Sequence, residues 1–444
     1  MRAQGQPLDR PRLIERYVAQ RRRTRDFFDM IEAAGAYLAR PIPLRNPFVF
    51  YEGHLPAFCV NTLLKKGLGR RGLNEAYETL FERGIDPESE AMVPAGQSVW
   101  PKRKEVLAYA EAADEEVMEA LARAELQRDD APALVRAQAV FAILEHETMH
   151  QETLGYMAHR LEPERKTPPG GYRLETGGDP PRPRSVRIPD GRATLGADPG
   201  RLRFGWDNEF PEHSVPVPAF TIDAFDVTNR DFLEFVEADG YARRELWSEE
   251  GWTFRERAGL RHPPFWERDG EGRWLWRGMF ERLPLPMAWP VWLSGEEAAA
   301  YARWRGKRLP TESELHRAAY GTPDGTERSY PWGEEEPDPT RGCFGFERWE
   351  PVPAGSRPAG ASAFGVADLL GNGWEWSSTS FAGFPGFAPM ASYPVYSADF
   401  FDGKHQVIKG GSPATAHELL RRSFRNWFRP NYPFVYAAFR CVSA

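Results

Sequence analysis

LEPERKTPPGGYRLETGGDPPRPRSV, residues 161–186, divides this chain in two. It is dense in proline and glycine and has no hydrophobic period, so it reads as a linker or an ordered strap. Upstream, apolar residues recur at helical spacing. Leu13, Tyr17, Phe27, Phe28 and Ile31 mark a first helix between Asp9 and Ala39. After the breaks at Pro41, Pro43 and Pro47, a second helix is expected from about Phe48 to Lys66, a third near Lys104–Gln127 and a fourth from about Ala131 to Arg160. Four helices with a long crossover before the third suggest a bundle. Downstream the segments are short and rich in Gly, Pro and Trp. Two helices stand out there: Asn229–Ala238 after Thr228, and Ser294–Arg305, where Glu297 follows Ser294 in a capping-box pattern. The expected architecture is therefore α plus α+β: a helical domain over residues 1–163, a linker over 164–186 and an irregular α+β domain over 187–444.

The 444 residues carry a formal net charge of −7 with both signs mixed, which argues against a general nucleic-acid binder. Arg21–Arg22–Arg23 reads as a solvated helix face. Cys59, Cys343 and Cys441 are few and scattered, so neither a disulfide framework nor a CxxC metal site is implied, and a reducing cytoplasm is the simple expectation. No run of ~18 apolar residues exists and the N-terminus lacks an apolar signal core, so no membrane association is expected. The 15 tryptophans suit both a core and an aromatic-lined small-molecule pocket.

The sharpest local signal is HETMHQE, residues 146–152. His146 and His150 lie four apart on the fourth helix, so they share a face with Cβ atoms about 5–6 Å apart, which suits two imidazoles on one metal. The segment also matches HExxH, with Glu147 in the place of a protease base, but a zincin would need a third ligand downstream and a substrate cleft of a different type. His54, in FYEGHLPAF (50–58), sits among apolar residues of the second helix and completes a candidate three-histidine site. Glu152 lies about 200° around the axis from His150 and is better placed to orient a ligand than to bind metal. Three imidazoles do not choose among Zn, Fe, Cu and Ni. Zinc would give hydrolysis or thiol transfer; iron(II) would give O2 activation.

The second half carries FGWDNEFPEHSVPVPAFTIDAFDVTNRDFLEFV (204–236), RGKRLPTESELHRAAYG (305–321), YPWG (330–333), LGNGWEWSSTS (370–380), IKGGSPAT (408–415), RRSFRNWF (421–428) and AAFRCV (437–442). In order and spacing these resemble the formylglycine-generating-enzyme-type domain, whose fold is C-type-lectin-like. The first half resembles the DinB helical bundle. The combination resembles the non-heme iron sulfoxide synthases of ergothioneine and ovothiol biosynthesis, with the related selenoneine synthase. That resemblance implies Fe(II) held by His54, His146 and His150, with O2 as co-substrate and hercynine or histidine as acceptor. In SYPVYSADFFDG (392–403), Tyr393 matches the family's catalytic acid and Tyr396 its substrate-holding partner. A phenol ordinarily keeps its proton at neutral pH and can donate it, or a hydrogen atom, during O2 reduction. Asn426 and Trp427 match the Asn-Trp pair near the substrate, where an aromatic face suits a quaternary ammonium.

Relatives that use γ-glutamylcysteine place an Asp and an Arg where this chain has Phe428 and Tyr432, and a further Arg where it has Trp100. Losing those charges removes strong charge-assisted bonds, so γ-glutamylcysteine is not the expected donor. The resemblance is therefore strongest to selenoneine synthase, with a selenosugar donor; cysteine is the alternative donor, and a zinc-dependent thiol transferase the alternative of another class. A formylglycine-generating oxidase would need a close cysteine pair near the C-terminus, where Cys441 stands alone.

Overall fold

The computed structural model describes residues 7–32, 35–82 and 100–443. The chain forms two compact units that exchange segments. The first comprises Met1–Gly170 together with Pro199–Trp206 and Pro389–Tyr396; the second comprises Gly171–Asp198, Asp207–Ala388 and Ser397–Ala444.

Four long helices build the first unit: α1 (Arg10–Glu32), α2 (Phe48–Cys59), α4 (Arg103–Arg123) and α5 (Gln138–His159), with a short α3 (Glu75–Leu80) in the crossover. Both α1 and α2 pack on α4 and α5. All twelve residues of α2 are buried and most are apolar, with Glu52 paired to Arg103, as suits a central helix. Pro56 interrupts its hydrogen-bond ladder, and the chain continues as a π-helix over Val60–Gly67, a form that recurs near functional sites.

Two expectations for this unit are corrected. The fourth helix begins at Gln138 rather than Ala131, because a 3-10 turn over Pro132–Ala137 comes first and ends with Arg136 and Ala137 at φ 57° and 59°. Arg21 is not solvated. It is 4% exposed and bridges Asp114 of α4 and Glu147 of α5, since a long residue on the buried stripe of α1 must meet its counter-charges inside.

The second unit is built from short strands and loops. β1 (Ser185–Ile188), β4 (Phe220–Asp223) and β12 (Val442–Ser443) form one antiparallel sheet, so the two ends of the unit close on each other. β2 (Gly191–Leu195) and β3 (His213–Val217) make a hairpin, and β5 (Trp266–Arg268), β6 (Trp274–Arg277) and β7 (Arg282–Pro284) a small meander. The largest sheet runs β10 (Asn426–Phe428), β9 (Gln406–Gly411), β8 (Gly373–Ser380), β11 (Ala437–Ala438). The helices are α6 (Asn229–Glu237), α7 (Glu249–Ala258), α8 (Gly295–Trp304) and α9 (Glu312–Tyr320).

Capping boxes start α6 at Thr228 and α8 at Ser294, as expected. α7 and α9 were not expected, although Thr311 and Glu314 cap α9 by the same device. Trp266, Trp276, Trp289, Trp292, Trp374 and Trp376 are core residues. The Pro/Gly-rich strap is tied down rather than loose: Glu175 accepts from Arg348 and Arg357 and its carbonyl from Trp289.

Candidate metal centre

His54 lies on the central helix and is 3% exposed. Its Nδ1 is 2.8 Å from the Phe81 carbonyl oxygen. A carbonyl only accepts, so Nδ1 carries the proton and Nε2 presents its lone pair. Phe81 is set for this by α3. Asn74 caps that helix and the buried Glu78 accepts from the Leu73 and Asn74 amides, so the chain leaves α3 in a fixed position. Gly53 lets Phe81 approach α2, since a Cβ there would meet the ring at 2.5 Å.

On α5, His146 and His150 face the same way, their ring centroids 4.4 Å apart. Nε2 of His54 and Nε2 of His146 are 3.3 Å apart, and one ligand atom from each of the three histidines lies within 4.8 Å of the others. Two nitrogens bound at about 2.0–2.1 Å to one ion at right-angled or tetrahedral geometry stand about 2.8–3.4 Å apart, so the pair fits a shared ion. It is the sole group of this kind among the described residues.

The surroundings hold the rings neutral. Burial lowers the pKa of His54 to about 4 against the opposing pull of the Phe81 carbonyl. Burial lowers His146 and His150 as well, helped by the neighbouring imidazoles and, for His150, by Arg45. Neutral imidazoles are the ligand form. The buried Nδ1 of His150 has no hydrogen-bond partner among the described residues. Aromatic rings wall the group. Phe58 stacks on His146 at 3.5 Å between centroids and Phe50 on His54 at 5.0 Å. Trp100 stacks on Phe81 and meets Phe50 edge-on.

Segment Pro389–Tyr396 brings the two tyrosines to this unit. Its backbone is pinned at Ser392, whose amide donates to Gln138 and whose carbonyl accepts from Lys66. The Tyr393 ring is half-buried, 6.4 Å from His146 and 5.2 Å from Phe58 between centroids. Tyr396 stacks on Trp206 at 4.0 Å and its hydroxyl donates to Met149 Sδ at 3.7 Å. Phe58, Phe81, Met149 and Trp206 were not singled out from sequence. Phe58 follows His54 by one helical turn and was open to that reading; a backbone carbonyl such as that of Phe81 leaves no sequence signal.

Glu147 is committed elsewhere. It accepts from Arg21 and from the Thr24 hydroxyl, which removes it as a protease base. Glu152 is buried on α5 and is not one of the grouped donors.

The remaining sequence candidates lie in the second unit. Asn426 and Trp427 pair with Ile408 and Val407 across β9 and β10. Trp427 stacks on Phe381 at 4.2 Å with Phe400 at 5.5 Å. Phe428 and Tyr432 stack on each other at 5.5 Å with an 11° interplanar angle. Cys343 and Cys441 are buried free thiols, both pushed up by burial, Cys343 to about 12.

Residues 174–444 match the sulfatase-modifying factor enzyme 1-like domain family, which accounts for the mixed short sheets and helices of the second unit. A hercynine oxygenase of Mycolicibacterium thermoresistibile is 35% identical over 408 residues, covering 90% of this chain and 87% of that protein. The chain belongs to the hercynine oxygenase family. A second member, the hercynine oxygenase of Mycobacterium tuberculosis, is 44% identical over 248 residues, 55% of this chain and 57% of that protein. The ergothioneine biosynthesis protein 1 of Neurospora crassa is 28% identical over 91% of this chain but 54% of its own length, so this chain spans about half of that relative. The Mycolicibacterium thermoresistibile hercynine oxygenase thus resembles this chain across most of its length. No helix among the described residues is long and apolar enough to cross a membrane.

Proposed function

We propose that this protein is an O2-dependent, non-heme Fe(II) enzyme that joins selenium or sulfur to C2 of the hercynine imidazole. The observation that carries the reading is the convergence of His54, His146 and His150 beside Tyr393. Neutral imidazoles suit a divalent ion, and iron, when bound, supplies the site of O2 activation. His54 presents Nε2 because Phe81 holds its other nitrogen. Tyr393 delivers a proton or hydrogen atom from its phenol as oxygen is reduced. Phe50, Phe58 and Trp100 keep the surroundings apolar and restrict water. Glu152 supports the ligand helix. DinB-type helices for the first half, and domain limits at 163 and 187, belong to the same reading.

Trp427 and Asn426 suit the trimethylammonium and polar groups of hercynine, as the names of the relatives suggest. For the donor, Phe428, Tyr432 and Trp100 are aromatic at the positions where relatives that use γ-glutamylcysteine carry charged side chains, and Phe428 and Tyr432 stack on each other. A selenosugar fits that character, making selenoneine synthase the preferred reading. The relative named for ergothioneine biosynthesis favours a sulfur donor as the second reading. A zinc-dependent thiol transferase would leave Tyr393 without a task.

The test is anaerobic Fe(II) loading, then O2 with hercynine and equal cysteine, γ-glutamylcysteine and selenosugar, with products read by mass spectrometry. A C2–Se product from the wild type, and at least tenfold less from Tyr393→Phe, is expected. A C2–S product from cysteine selects the second reading. Activity with Zn(II) and no O2 uptake overturns both.

A further inference from the structure

HETMHQE carries two interlocked stripes. His146 and His150 form one; Glu147 and Gln151, each one residue later, form another about 100° around the helix. The side chains of the second stripe bond to α1. Glu147 accepts from Arg21 Nη1 at 3.1 Å and from the Thr24 hydroxyl. Gln151 Nε2 donates to Thr24 Oγ1 and to the Gln20 carbonyl, both at 2.9 Å, and its Oε1 accepts from Arg23.

Thr24 therefore uses its hydroxyl twice, as donor to Glu147 and acceptor from Gln151. Arg21 is fixed from the other side by Asp114 of α4, at 2.7 Å from Nε, and Asp114 also accepts from Tyr17 at 2.7 Å. Arg21, Thr24, Glu147 and Gln151 are each 4% exposed or less. A helix fixed at two points one turn apart on one stripe cannot rotate about its axis, so the azimuth of the histidine stripe is set as well.

We propose that Thr24 and Arg21 are positioning residues of the metal centre, acting through the Glu147–Gln151 stripe to aim His146 and His150. This rests on the metal reading given above. Partners hydrogen-bonded to the ligands themselves typically change metal affinity 10–100-fold; Thr24 and Arg21 act one step further out, so the low end of that range is expected.

Thr24→Val keeps the shape and removes both bonds; Thr24→Ser keeps the hydroxyl. The probe is Co(II), titrated anaerobically against a chromophoric chelator, with its visible ligand-field bands recorded and the thermal transition of the metal-free protein measured in parallel. Thr24→Val is expected to weaken Co(II) binding about tenfold and to alter the bands, with Thr24→Ser within about twofold of wild type. Should Thr24→Val fail to fold, Arg21→Lys reads the same quantity, since a point charge cannot bridge Asp114 and Glu147 as a guanidinium does. Wild-type affinity and bands in Thr24→Val, or equal weakening in Thr24→Ser, overturn the positioning role. A wild type that does not bind Co(II), or binds it unchanged after His150→Ala, overturns the metal reading itself.

Discussion

Around Arg440, burial is matched by opposite charge. This arginine has no exposed surface, and its guanidinium meets Glu375 at 2.6 Å and Asp226 at 3.0 Å while donating to the Ala367 and Asp223 carbonyls. Arg425 with Glu312 and Arg421 with Glu209 repeat the arrangement elsewhere in the second unit. Around His146 the arrangement is the opposite. Three imidazoles are packed together among aromatic rings, with one Nδ1 on a backbone carbonyl and another without a partner among the described residues. The first region uses charge to fasten loops that have too little regular structure to hold themselves. The second keeps polar atoms in an apolar setting where only an added ligand would satisfy them, and such settings concentrate at functional sites.

The largest effect should come from breaking the first region. Arg440→Met leaves Glu375 and Asp226 buried without their cation and should cost about 3–5 kcal/mol in denaturant unfolding; a loss under ~1 kcal/mol would mean the cluster is not a staple.

Acid should act on the second region. His54 is held at about 4, against about 6.5 in an unfolded chain. The unfolded chain therefore takes up its proton first. Stability of the metal-free protein should be level above about pH 6.5 and fall as pH drops towards 4, by about 3 kcal/mol from His54 alone, with His146 and His150 adding in the same direction. Unfolding free energies across that range check the sign; a rise on acidification would contradict it.

A smaller effect should separate the two regions. Gly53→Ala pushes on Phe81 and should cost about 1–3 kcal/mol. It should also weaken metal binding by slackening the hold on His54, whereas Arg440→Met should leave metal affinity in any folded fraction unchanged. Equal metal affinity in Gly53→Ala would show that the Phe81 carbonyl does not matter.

The local parts of this molecule were readable in the sequence. The HxxxH spacing put His146 and His150 on one face, and the Thr228 and Ser294 caps gave the starts of α6 and α8. The Thr311 cap was equally readable, since its helix is as long as α6 and is capped by the same device. What could not be read depends on chain segments far apart. Arg21 looks like its neighbours in an arginine run, and only packing against α4 and α5 distinguishes it. Trp206 and the 389–396 segment lie among sequence that belongs to the second unit, and no periodicity assigns them to the first. The orientation of His54 depends on a backbone oxygen, for which side-chain identity carries no information.

The contribution of Pro389–Tyr396 to the helical unit has a consequence for synthesis. A ribosome adding ~5–20 residues per second finishes Gly170 tens of seconds before it reaches Tyr396. Over that interval the emerging helices lack the piece that carries both tyrosines, so the nascent chain has a lone N-terminal unit with an unfinished flank. A fragment ending at residue 170 would reproduce that immature species rather than a separable module.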